Sequence, residues 1–108
     1  MKIHEFAEKY GFKKRQVDYY TAKGLLHPTQ NQKNGYRDYD ETCEKEVQGI
    51  IIAKMIGAKI DRENIEACEF MLRSSVTRNY IRAQVELHFD NVKHDYDRAQ
   101  KVIAMWEA

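Results

Sequence analysis

A chain of 108 residues with 43% apolar content suffices for one small domain with a thin core, and no apolar run approaches the ~18 residues of a membrane span. The net charge of +1 hides an asymmetry: residues 1–39 carry eight basic against four acidic side chains, residues 40–75 five against eight, and residues 76–108 five of each. Positive charge gathered in the first third favours a polyanionic partner such as nucleic acid, and MKIHEF is no signal peptide, so a cytoplasmic, non-membrane protein is expected.

Ile3, Phe6, Ala7 and Tyr10 recur at helical spacing and predict an amphipathic first helix that Gly11 ends. Phe12 then returns to the core. A second helix is predicted from about Lys13 to Lys23. Val17 and Tyr20 share its inner face, Thr21 lies at the edge, and Lys14, Arg15, Asp18, Tyr19 and Ala22 point away. Two short helices joined at a glycine match a helix-turn-helix. Gly24 stands where a helix-ending glycine belongs, Leu25 and Leu26 re-enter the core, and Pro28 opens a strand where its missing N–H does least harm. Asn34-Gly35 predicts a two-residue hairpin turn with positive φ at both positions, and Tyr36 to Tyr39 alternate along the returning strand. Such a helix can enter the major groove of double-stranded DNA while the hairpin, a small wing, follows the backbone beside it. Of the four tyrosines here, Tyr20 and one on the wing are assigned to the core, and Tyr19 is the better DNA contact.

Asp40 is a natural N-cap, with Glu41 and Glu44 near the positive end of the next helix. Val47, Ile50, Ile51, Ile52, Met55 and Ile56 make that helix the core spine, and Gly57 stops it. Asp61 caps a fourth helix carrying Ile65, Cys68, Met71 and Leu72. Cys43 and Cys68 have neither a disulfide framework nor zinc spacing and are read as packing residues. Beyond Ser74-Ser75, no Gly or Pro interrupts the stretch from Val76 to Trp106, so one long helix of about 45 Å is predicted. Val85, Phe89, Val92, Tyr96, Ala99, Ile103 and Trp106 follow the 4-3 spacing of a coiled-coil seam, and a stripe that long calls for a second copy of the chain. His88 and His94 are read as solvated or seam residues. No cofactor or metal site is expected, and no set of side chains suggests an enzyme. The expected fold is mainly α: a winged helix-turn-helix domain at residues 1–75, then a dimerisation coiled-coil helix at 76–108.

The runs IHEFAEKYGF, VDYY, KGLLHP, NGYRDYD and AKMIGAKIDRENI, in that order from about Lys2 to Leu72, resemble the mercury-resistance-regulator (MerR) family of bacterial transcription factors. The resemblance implies an antiparallel dimerisation coil and a homodimer on a pseudo-palindromic promoter element. Distortion of the spacer there lets RNA polymerase engage both promoter boxes. By position it implies DNA contacts from Lys14, Arg15 and Tyr19 of the second helix, with Lys13 beside them. Tyr36 and Arg37 of the wing would meet the backbone, with Lys33 at its tip. The family usually carries arginine just before the paired tyrosines, where this chain has Asp18. Either Asp18 pairs with Lys14 or Arg15 on its own helix, or it accepts from a cytosine amino group and helps specify the site. No separate effector domain and no cysteine pair at the coil ends is present in the pattern, so neither a metal nor a drug effector is expected. Two other functions fit parts of the pattern: an architectural or excisionase-like DNA binder, and a coiled-coil interaction protein that has lost DNA affinity.

Overall fold

The first apolar stripe forms α1 (Ile3–Tyr10), ended by Gly11, and buries Phe6, Ala7 and Tyr10. A computed structural model supplies these coordinates and describes residues 1–88 and 93–108. They include six helices and one two-stranded sheet, in two compact units of residues 1–47 and 48–108.

In the first unit, α2 (Lys14–Ala22) buries Val17 and Tyr20, and Phe12 meets the Tyr20 ring edge-on at 5.9 Å. Strands β1 (Thr29–Gln30) and β2 (Arg37–Asp38) pair antiparallel, Thr29 opposite Asp38 and Gln30 opposite Arg37. Tyr39 leaves the hairpin for the core, stacking on Phe6 at 5.0 Å between ring centres and meeting the Thr21 hydroxyl at 3.0 Å through its own. Asp40 caps the next helix, α3 (Glu41–Met55), accepting from the Thr42 and Cys43 N–H groups at 3.0 and 3.3 Å.

The hairpin turn differs from the expected two-residue form. Asn34 has no positive φ; Gly35 alone takes the left-handed conformation there, at +72°. The loop runs from Asn31 to Tyr36, closed by Asn31 N–H to the Tyr36 carbonyl at 2.8 Å and Gly35 N–H to the Asn31 carbonyl at 2.7 Å. Asparagine side chains decide this. Asn31 Oδ1 accepts from the Lys33 N–H at 2.8 Å and Asn34 Oδ1 from the Tyr36 N–H at 3.0 Å, local bonds that favour a wider turn.

In the second unit, α4 (Arg62–Leu72) starts at Asp61, whose carboxylate accepts from the Asn64 N–H at 2.9 Å, and buries Ile65, Cys68 and Leu72. The expected single final helix is not formed. The chain makes α5 (Ser75–Leu87) and α6 (Lys93–Glu107), which lie antiparallel against each other. Glu107 pairs with Arg78 at 3.5 Å and with Arg82, while Glu86 accepts from Tyr96 at 3.1 Å and Gln100 at 2.9 Å. Val85, Ala99 and Ile103, expected to wait for a second copy, are buried within this unit together with Ile81 and Val102. A 4-3 spacing serves either arrangement. Folding back covers the stripe without the translational and rotational freedom that association costs. His88 marks the end of α5, with φ −106° and ψ 15° and its Nδ1 2.7 Å from the Gln84 carbonyl oxygen. Tyr96 and Trp106 are half-buried, the indole N–H donating to Gln48 at 2.8 Å; Phe89 and Val92 of the expected seam lie outside the described residues.

Candidate nucleic-acid interface

The basic outer face of α2 is fixed from beneath. Buried Val17 and Tyr20 set its rotation, and the Thr21 hydroxyl donates to the Val17 carbonyl at 2.9 Å while contacting Tyr39. At its start, Gln16 Oε1 accepts from the Lys13 N–H at 2.8 Å. This leaves Lys13, Lys14, Arg15 and Tyr19 exposed, as the spacing predicted, with Asp18 partly so. The Tyr19 ring packs edge-on to Tyr20 at 5.7 Å and carries the Lys23 ammonium 5.6 Å from its centre. A flat aromatic surface with a cation beside it suits a sugar–phosphate backbone.

The hairpin supplies the other wall. Gln30 Nε2 donates to the Gly35 carbonyl at 3.1 Å, which with the two asparagine bonds holds the tip in one shape. Tyr36 and Arg37 project from it into solvent, and the Arg37 guanidinium lies 3.4 Å from the Asp18 carboxylate on α2. Between helix and hairpin runs an open cleft of about 510 Å³, lined chiefly by Lys2, His4, Lys14, Asp18, Tyr36 and Arg37. Four of the eight sequence-nominated DNA residues therefore share one cleft. Lys13, Arg15, Tyr19 and Lys33 are exposed but do not line it. Lys2 and His4 were not nominated. Their signal was present, since both fall off the buried Phe6–Ala7–Tyr10 face of α1 beside a basic helix.

The two cysteines lie away from this surface in character. Burial pushes the Cys43 thiol up to about 11 and raises that of Cys68, so both are neutral packing groups at ordinary pH. Among the described residues no group of three or more His, Cys, Asp and Glu is placed to hold a metal ion, and no helix is long and apolar enough to cross a membrane.

A family model described as the MerR helix-turn-helix family regulatory protein matches residues 1–62, more than half of the chain. The chain belongs to the MerR family. Members of the MerR family are DNA-binding transcription regulators rather than enzymes, and the matched span holds α1, α2, the hairpin and α3, with every residue of the cleft. No curated protein and no solved structure matches this MerR-family chain.

Proposed function

We propose that this MerR-family chain binds double-stranded DNA as a homodimer on a pseudo-palindromic promoter element and regulates transcription by distorting the promoter spacer for RNA polymerase. The observation that carries the reading is the cleft. Lys14 on α2 and Tyr36 and Arg37 on the hairpin face one space whose cations outnumber its single carboxylate. Phosphate contacts of this kind set register and orientation on the duplex, while exposed α2 side chains reach base edges.

A second copy is favoured by the outer face of α5. Val76, Tyr80, Ala83 and Leu87 repeat at 4-3-4 spacing and are all exposed, Val76 at 76% and Leu87 at 75%. A stripe with coiled-coil spacing that its own chain leaves in water fits the same stripe of a second copy, antiparallel to it. The seam proposed from sequence thus moves around the helix, from the face holding Val85 to the face holding Tyr80. Two copies also double a small DNA footprint, since a nine-residue helix and a short hairpin grip only one half-site.

Footprinting on DNA flanking the gene tests the reading. One protected inverted repeat between promoter boxes, with enhanced cleavage at its centre, is the expected result. Scattered protection identifies an architectural binder, and no protection at any salt concentration removes the DNA-binding reading.

A further inference from the structure

We propose that Asp18 is a built-in stand-in for DNA phosphate: in the free protein its carboxylate engages the Arg37 guanidinium, and DNA must displace it, so Asp18 weakens binding to every duplex without choosing among sequences. The inference rests on the DNA-binding reading above and adds a residue that sets affinity. Asp18 Oδ1 lies 3.4 Å from Arg37 Nη1. The contact links α2 to β2 across the cleft, rather than Asp18 to Lys14 or Arg15 along its own helix. Both side chains are about half exposed, Arg37 at 51% and Asp18 at 46%, so a polyanion can reach the pair.

The chemistry of exchange is simple. A guanidinium takes carboxylate and phosphate oxygens with the same fork of N–H donors. An exposed pair is weak, so phosphate can replace the carboxylate; a buried pair would resist. Duplex DNA also releases condensed counterions when a cation binds it, a gain that the carboxylate does not offer. After the exchange Asp18 remains in the cleft beside Lys14 and opposes the incoming phosphates. In the free protein the Asp18 carboxylate meets Arg37 of the hairpin, so its effect falls on the cation offered to phosphate and is the same for every sequence.

The test is a double-mutant cycle of Asp18→Asn and Arg37→Ala, with affinities read by fluorescence anisotropy on a random-sequence 30-base-pair duplex and on a footprinted site, across a salt series. Asp18→Asn is expected to tighten both duplexes alike by about two- to fivefold at low salt, the range an exposed ion pair supplies. In the Arg37→Ala background most of that gain should disappear. Weaker binding by Asp18→Asn, or a changed preferred base pair in selection from random DNA, overturns the proposal. So does an equal gain in both backgrounds, which would mean repulsion without exchange. If wild type binds neither duplex, the DNA-binding reading fails as well. If wild type binds and Asp18→Asn changes nothing, only the present inference fails.

Discussion

Gly49 of α3 lies flush against the main-chain carbonyl oxygen of Ile65 on α4. A methyl group at position 49 would overlap that oxygen and come within 2.9 Å of the Ile65 Cγ2. Backbone cannot step aside as a flexible side chain can, so Gly49→Ala is expected to destabilise the chain by about 1–3 kcal/mol despite alanine's better helix propensity. Thermal unfolding should show a midpoint lowered by about 4–8 °C per kcal/mol for a domain of this size. An unchanged midpoint would mean that the two helices separate freely.

Tyr39 ties the hairpin to the helices through two distinct contacts, its ring on Phe6 and its hydroxyl at Thr21. Tyr39→Phe removes only the second and should cost about 0.5–1.5 kcal/mol. Tyr39→Ala removes both, opens a cavity and should cost about 3–5 kcal/mol. Urea midpoints separate the two variants, and equal losses would show that the hydroxyl contact dominates.

Lys14 and Arg15 are exposed and support no core contact. Replacing either with alanine should leave stability within about 0.5 kcal/mol of wild type. DNA affinity should fall on all sequences, with the log-affinity against log-salt slope shallower by about 0.9 for each lost phosphate contact. A loss confined to one base pair of the site would make that side chain a base reader.

Cys43 gives a pH signature. Its thiol is held at about 11 in the folded chain, against 9.0 when free, because burial disfavours the thiolate. Below about pH 9 the thiol is neutral in both states and its contribution to stability is complete. As pH rises from 9 towards 11 the unfolded chain ionises first, and stability falls by up to about 1.4 kcal/mol per pH unit from this group. Cys43→Ala should remove that part of the alkaline decline, measured by urea unfolding at pH 8, 9.5 and 10.5. Native Cys43 should also resist alkylation at pH 8, and rapid labelling without unfolding would contradict its burial.

Tyr80→Glu with Leu87→Glu places two carboxylates on the exposed stripe of α5. The variant should be monomeric in sedimentation equilibrium at micromolar concentration, where wild type is expected to be dimeric. It should keep its helical circular dichroism, since neither residue is buried. A dimeric double variant would put the interface elsewhere.

The helices of the DNA-binding region were legible because each announces itself locally: a 3-4 apolar spacing, a glycine stop, an aspartate cap. Asp40 and Asp61 do what aspartates before apolar runs do, and Tyr20 and Tyr39 are buried while Tyr19 and Tyr36 are not. The long final helix was misread because a 4-3 repeat states which residues need covering and is silent about what covers them. The Asp18–Arg37 contact was invisible for another reason. Its partners are 19 positions apart on different elements, and rules for neighbours on one helix point to Lys14 or Arg15 instead.

The closure of α5 on α6 bears on how a newly made chain survives before it meets any partner. α5 and α6 follow one another in the chain, so their encounter joins near neighbours in sequence and needs no collision with a second molecule. Such near-neighbour contacts form early, and the most apolar part of the C-terminal third is shielded while the chain is still dilute. For the proposed homodimer, assembly then waits on protein concentration, and the number of chains, rather than the folding of each one, sets when paired half-sites would be occupied.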